Sequence, residues 1–281
     1  MKKLFLILTT ALFFFLSSCI PSLHSIVNEE NRITDDRIIG TWKMEEYTIN
    51  EDNFQFSVQS NDKEDEQEMN ELQEDLKKQK KYSIWQFERA AKLKFKYKEL
   101  PEGALTWTHE AIGGEASTLK KLRILYNTDN IVVEEKENLP YYILSHKEAS
   151  YPHKEVTMKV ELTKIGKSFY MDIFPIDDSS ITGRFSTNYI EAHTFSKLEF
   201  KDEKLVLHSF DIDRIEQLLK SKKARLKHEV ITKASLKNKK IVYEENIILT
   251  APTKELRAFI EKYGTDEDLF DDAEELIAYH E

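Results

Sequence analysis

Apolar and polar residues alternate with a period of two along much of the chain, and this pattern predicts a mainly β protein. The clearest case is a hairpin with an apolar side chain at every second position of both strands: Val156, Met158, Val160, Leu162, then Phe169, Met171 and Ile173. Such alternation is typical of a strand with one buried and one solvated face. Gly166 supplies the residue that a tight turn needs.

Four further stretches carry the same alternation and are predicted as strands. They are residues 38–44; Leu93, Phe95 and Tyr97; Leu122, Ile124 and Tyr126, with a turn at 127–130 into 131–133; and Leu198 and Phe200, turning at 201–204 into Leu205 and Leu207. Gly, Asn and Asp mark the ends of several of these runs, as turn residues do.

Helical spacing of apolar residues is confined to the second half of the chain. One predicted helix is capped by Asp211 or Asp213 and carries Ile212, Ile215, Leu218 and Leu219 on one face. A second runs from Pro252 to Gly264, and a short acidic helix is predicted over residues 266–277. The fold class is therefore mainly β (α+β). We expect an antiparallel barrel or strongly curved sheet over residues 37–281, with a helical C-terminal part at 252–279.

The first 19 residues carry an export signal. Lys2 and Lys3 precede an uncharged stretch, residues 4–16, which is shorter than the roughly 20 residues that a membrane-spanning helix needs. Leu16, Ser17, Ser18 and Cys19 follow, and this order resembles the bacterial lipobox. The resemblance implies cleavage of residues 1–18, a diacylglyceryl thioether on Cys19 and an acylated (palmitate-type) amino terminus. Several acyl chains hold a protein on a bilayer durably.

Residues 19–36 lack apolar periodicity and are predicted to be a lipidated N-terminus and tether. Ile20 stands where some Gram-negative lipoproteins carry the aspartate that retains them in the inner membrane. The residues just after Cys19 also lack the acids that mark some lipoproteins for the cell surface. We therefore expect a position on the periplasmic face of the outer membrane.

Other segments resemble known proteins as well. Gly40-Thr41-Trp42 resembles the opening strand of lipocalins, in which the tryptophan closes one end of a barrel. The lipobox and this strand, together with residues 22–24, 172–175, 192–195 and 249–251, are similar to a group of bacterial lipoproteins. This similarity implies an address in the envelope but no activity.

Charge is unevenly distributed. The net charge of −10 disfavours a partner with a phosphate backbone, so no nucleic acid is expected. Residues 61–75 hold eight acids and one lysine. Residues 61–81 are predicted to be a charged insertion between strands: either a spacer, as a solvated surface helix or a mobile loop, or a docking arm or weak divalent-cation site. A basic block at residues 220–228 could contact anionic lipid head groups or polyanionic sugars, or could be a solvated helix end.

Few residues carry recognisable chemistry. No phosphate-binding, nucleophile-elbow or zinc-protease motif occurs, and we expect no metal and no cofactor. Asp172 and His193 are the polar residues of interest, together with Trp42, as a possible ligand or structural site. Asp172 is either a solvated acid or, with Asp177 or Asp178, half of a hydrolytic carboxylate pair. His193 is either a structural histidine with a partner or a metal ligand.

Two functions remain open at this level. The first is a non-enzymatic lipoprotein, anchored to the membrane through Cys19, that binds an apolar small molecule or an envelope protein. The second is a hydrolase that acts on cell-envelope material through carboxylates such as Asp172. The absence of catalytic motifs favours the first.

Overall fold

A computed structural model describes residues 21–45, 82–97, 109–126, 130–148, 155–177, 192–237, 240–271 and 273–279. The predicted signal at 1–18, the lipobox with Cys19, and the charged insertion 61–81 lie outside the described residues. So does most of the predicted turn at 127–130. Predictions that concern these residues therefore remain predictions.

Within the described residues the chain forms twelve strands. Their bounds are β1 Arg32–Ile33, β2 Gly40–Glu45, β3 Tyr82–Tyr97, β4 His109–Gly114, β5 Ile131–Glu148, β6 Glu155–Ile165, β7 Ser168–Asp177, β8 Thr194–Lys201, β9 Lys204–Ser209, β10 His228–Lys237, β11 Lys240–Leu249 and β12 Glu274–Ala278. Every pairing between them is antiparallel. The prediction of a mainly β, antiparallel protein is confirmed.

Eight of the strands pair into a closed ring. Their order is β6, β5, β3, β2, β12, β9, β8 and β7, and pairing between β6 and β7 completes the circuit. β1 adds to β6, β4 adds to β3, and β10 with β11 forms a separate hairpin. The β6–β7 turn has Gly166 at φ +60°, which explains the glycine that the sequence offers there.

The ring encloses one apolar cluster to which every ring strand contributes. Its buried members are Ile38, Trp42, Phe87, Tyr142, Leu144, Val160, Leu162, Met171, Leu198, Leu205, Leu207 and Leu276. Along β7 this interior takes Met171, while Tyr170 and Asp172 lie on the opposite, outer face. The alternation seen in the sequence therefore separates an inner and an outer face of the ring.

Three α-helices accompany the strands in the described part of the chain: α1 Glu115–Tyr126, α2 Ile212–Lys220 and α3 Thr253–Tyr263. Of the two predicted caps of α2, the structure selects Asp211, whose side chain accepts a hydrogen bond from the Arg214 amide. α3 ends at Gly264, also as predicted. Together α2 and α3 bury Ile215, Leu218, Leu256 and Ile260 in a second apolar cluster, on the outer face of the ring.

Two predicted elements are wrong. Residues 274–278 form strand β12 and not a helix, because β2 and β9 leave a place between them that pairs on both sides. Leu122, Ile124 and Tyr126 belong to helix α1 and not to a strand. Leu119 and Leu122 pack against Leu93 and Phe95, which is a helical i, i+3 contact, whereas Ile124 is exposed.

The structure also differs from the tether predicted over residues 19–36. From residue 21 this part of the chain is packed onto the ring, and Ile26 is fully buried. Val27 and Ile26 join the outer cluster formed by α2 and α3. We call residues 21–36 the N-terminal segment. Spacing alone did not reveal this burial, since only two residues of the segment enter the core.

Candidate functional site: the Asp172–His193 junction

Asp172 and His193 form a buried pair on the outer face of the ring. The Nδ1 atom of His193 lies 2.7 Å from Oδ1 of Asp172, and the Asp172 side chain is only 1% exposed. Strand β7 carries Asp172 on the face opposite Met171 and Ile173, and His193 precedes β8, the neighbour of β7. The ring of Phe174 lies 4.6 Å from the imidazole and shields one side of it. The two residues that the sequence singled out are therefore brought together.

The second oxygen of Asp172 binds the N-terminal segment. Oδ2 accepts a hydrogen bond of 2.6 Å from the Ser25 hydroxyl and one of 2.9 Å from the Ile26 amide. Ser25 also accepts a hydrogen bond from the Val27 amide at 2.8 Å. A buried carboxylate is tolerated when its oxygens receive several donors, and here three donors meet it. Asp172 thus holds the N-terminal segment and His193 against β7, and it is not the solvated acid that was one of its two predicted roles.

Backbone hydrogen bonds extend this attachment toward the start of the segment. Ser22 and His193 exchange two backbone hydrogen bonds of 2.8 Å. On its other side, Pro21 accepts from the Leu249 amide and Leu23 donates to the Leu249 carbonyl, both at 2.9 Å. The segment therefore lies between the chain at His193 and the end of β11 like a short added strand.

Helix α3 holds the segment from above. The Thr253 hydroxyl donates to the Ser25 carbonyl at 2.7 Å, and the Arg257 guanidinium donates to the Ile26 carbonyl at 3.0 Å. Arg257 also donates to Thr163 and to the Lys164 carbonyl, both on β6. Partial burial lowers the pKa of Arg257, but a guanidinium stays charged at any physiological pH. Arg257 thus joins the segment to the ring.

The pair resembles part of a catalytic triad, in which an aspartate orients a histidine that activates a hydroxyl. Here the Ser25 hydroxyl donates to the aspartate and not to the histidine. Ser22, the other nearby serine, bonds within its own turn to His24. Within the described residues, no hydroxyl bonds to Nε2 of His193. Among the residues that the structure describes, the pair therefore holds the N-terminal part of the chain and is not joined to a serine or threonine hydroxyl through His193.

Trp42 lies elsewhere. Its indole is in the ring interior and donates a hydrogen bond of 2.9 Å to the Ile38 carbonyl. That position agrees with a tryptophan that helps to close a ring, but it shares no contact with the Asp172–His193 junction. Ser25, Thr253 and Arg257 were not singled out in the sequence, and no motif distinguishes them from surface residues.

Across the described parts of the chain, including the residues of this site, His, Cys, Asp and Glu nowhere gather in groups of three or more that could hold an ion. Over the same residues, no helix is both long and apolar enough to cross a membrane. Comparison of the chain with protein-family models, curated proteins and solved structures finds no match.

Proposed function

We propose that this protein is a lipoprotein of the cell envelope whose anchor on Cys19 holds its β domain directly against a membrane. The observation that carries the proposal is the docking of the N-terminal segment from Pro21 onward. Two extended residues reach at most about 7 Å, so a lipidated Cys19 would sit close to the domain surface at Leu249. The domain would then rest on the bilayer without a flexible spacer.

The junction supports this function because it would carry the mechanical link between lipid and domain. A segment that peeled away would lengthen the connection by all of residues 21–36. Hydrogen bonds that join the segment to the rest of the domain oppose this detachment. They involve Asp172, His193, Leu249, Thr253 and Arg257. The proposed anchor therefore ends on a rigid point of the fold.

A binding role is favoured over catalysis. Both oxygens of Asp172 are occupied by donors, and the N-terminal segment covers them. A general acid or nucleophile must reach its substrate, whereas this carboxylate is sealed. The ring interior offers apolar side chains to a small hydrophobic ligand, and these side chains also pack tightly against each other. An apolar ligand and an envelope protein remain the two candidate partners.

A hydrolase of envelope material is the second candidate function, and the Asp172–His193 pair is the observation in its favour. It would require that the imidazole act through Nε2 on a hydroxyl or water. A His193→Gln variant that keeps its fold but loses hydrolysis of purified envelope polymers would support this candidate. Equal behaviour of the variant and the parent would remove it.

The anchor is tested with Cys19→Ser. We expect the parent to fractionate with the outer membrane and its mature amino terminus to carry three acyl chains or a diacylglyceryl group by mass spectrometry. The variant should become soluble or remain unprocessed. Unchanged detergent partitioning of the variant would contradict the proposal. Mass spectrometry of material that co-purifies with the detergent-extracted parent would then separate a lipid-like ligand from a protein partner.

A further inference from the structure

We infer that residues 220–228 form a cationic surface that contacts anionic phospholipid head groups beside the lipid anchor. We call these residues the basic loop. The inference rests on the proposed anchoring through Cys19 and adds to it an orientation of the domain and a lipid preference. The two are separable, since the chain could be lipidated and yet lie on the membrane with a different face.

The fold places the basic loop next to the point where the anchor leaves the domain. The Leu249 amide donates to the Pro21 carbonyl, and the next amide, that of Thr250, donates to the Lys227 carbonyl, both at 2.9 Å. His228 pairs with Leu249 across the hairpin. Pro21 and the end of the basic loop thus flank the same strand end on its two sides, which corresponds to about 10 Å at strand spacing.

The apolar side chains of the basic loop are buried, and its charged side chains are exposed. Ala224 and Leu226 are buried in the outer apolar cluster, whereas Lys222, Lys223, Arg225 and Lys227 are exposed. The backbone is fixed as well, because the Tyr263 hydroxyl donates to the Lys223 carbonyl at 2.7 Å and the Ala224 amide donates to Leu218 at 3.1 Å. The fold therefore presents the cations outward on a defined surface.

Of the five Lys and Arg side chains in the basic loop, one is held in an ion pair within the described structure. Lys220 is paired with Glu216 at 2.5 Å. Lys222, Lys223, Arg225 and Lys227 form no ion pair with any residue that the structure describes. In a chain of net charge −10, four adjacent unpaired cations form a local region of opposite sign. Anionic head groups beside a lipid anchor would neutralise them.

A solvated helix end does not account for the whole loop. The dipole of α2 favours a cation in its last turn, which is satisfied by Lys220. Lys223, Arg225 and Lys227 come after α2 has ended at Lys220, beyond the reach of a dipole effect that fades within one turn. Proximity to the anchor gives these three cations a common partner.

The test measures which face of the full-length lipidated protein meets the bilayer. Cys19 is the only cysteine of the chain and would be blocked as a thioether, so a fluorophore can be placed on Lys223→Cys alone. The matched position is Glu203→Cys, in the exposed β8–β9 turn, about 30 Å along β8 from His193. Both proteins are reconstituted into vesicles with a head-group quencher, one set zwitterionic and one containing phosphatidylglycerol.

We expect quenching at residue 223 and not at 203, and stronger quenching with the anionic vesicles. Adding Lys222→Gln, Arg225→Gln and Lys227→Gln to the 223 label should abolish the dependence on anionic lipid. The same charge change at exposed lysines elsewhere, Lys92→Gln, Lys96→Gln and Lys201→Gln, should leave it intact. Raising the salt to 1 M, where the screening length falls from about 10 Å to about 3 Å, should weaken it.

Equal quenching at residues 223 and 203 would overturn the inference. So would a difference in quenching between these two positions that is as large in zwitterionic as in anionic vesicles. A difference in quenching between the two positions that appears only when a polyanionic sugar is added would overturn the inference in favour of a sugar site. The mass of the mature amino terminus distinguishes a failure of the proposed function from a failure of the cationic-surface inference. A protein without lipid on Cys19 refutes the proposed function, whereas a lipidated protein without the difference in quenching refutes only the cationic surface.

Discussion

His193 Nδ1 and Asp172 Oδ1 are 2.7 Å apart, and the N-terminal segment, which follows Cys19 in the chain, packs against this contact. Because a carboxylate can only accept, the imidazole donates from Nδ1. His193 in turn exchanges backbone hydrogen bonds with Ser22. The Asp172–His193 pair therefore connects three parts of the chain: strand β7, the residues just before β8, and the N-terminal segment.

Replacing Asp172 by Asn tests this junction. Asn removes the negative charge, so the hydrogen bonds from Ser25, Ile26 and His193 lose their charge assistance. Its NH₂ group can face His193 Nδ1 only if the imidazole changes to the other tautomer. We expect the free energy of unfolding in urea to fall by about 2 to 4 kcal/mol. Asp202→Asn is the matched control, since Asp202 is exposed in a turn at φ +50°, a conformation that Asn accepts.

Limited proteolysis gives a second measurement on the same pair of variants. Cleavage within the N-terminal segment should be faster in Asp172→Asn than in the parent, because the Ser25 and Ile26 contacts are weakened. Equal urea midpoints and equal cleavage in the two variants would show that the junction adds nothing to the attachment.

A second prediction concerns the ring interior. Val160 is fully buried there, and an aspartate in its place would have no cation within the apolar cluster. Val160→Asp should lower the free energy of unfolding by about 3 to 5 kcal/mol or prevent folding. Lys164→Asp, on the same strand but exposed, should change it by less than about 1 kcal/mol. Similar urea midpoints for both variants would contradict the burial of Val160 in the ring interior.

The β6–β7 hairpin could be predicted from sequence because alternation and a turn glycine are local signals. Whether the sheet closes into a ring or stays open and strongly curved could not be predicted. Residues 274–278 bury only Leu276, and their acidic neighbours favour a helix when read locally. Pairing with β2 and β9, which lie far away along the chain, overrides that preference.

The candidate site shows the same limit. Asp172 and His193 stood out as polar residues between apolar ones, so they could be singled out individually. Their contact depends on the register between β7 and β8, which aligns Asp172 with Phe195. The docking of Ser25 and Ile26 depends further on α3, whose Arg257 carries no sequence signal for this role.

A third prediction concerns pH. Burial lowers the pKa of His146 to about 4, below the 6.5 of an unfolded histidine. Between these values the unfolded chain binds the proton and the folded chain does not, so stability falls as the pH decreases. Between pH 7 and pH 5 we expect a loss of about 2 kcal/mol from this residue.

His146→Gln measures that contribution. The variant should lose less unfolding free energy than the parent between pH 7 and pH 5 in parallel urea titrations. His208 is the control histidine, since burial lowers its pKa in the same direction while Glu199 opposes the shift. His208→Gln should therefore flatten the pH profile less than His146→Gln. Parent and His146→Gln profiles of equal slope would show that His146 is not a buried base.

The last prediction concerns the charged insertion at residues 61–81, whose role as spacer or site the sequence left open. The strands on either side end opposite each other, since Glu45 of β2 pairs with Tyr82 of β3. Residues 46–60 followed by a short Gly/Ser loop are therefore long enough to connect them. We expect a chain with residues 61–81 replaced in this way to fold with a melting temperature near that of the parent. If the eight acids instead bind a cation, millimolar calcium should raise the melting temperature of the parent by many degrees and leave the replacement unchanged. That result would disprove the spacer.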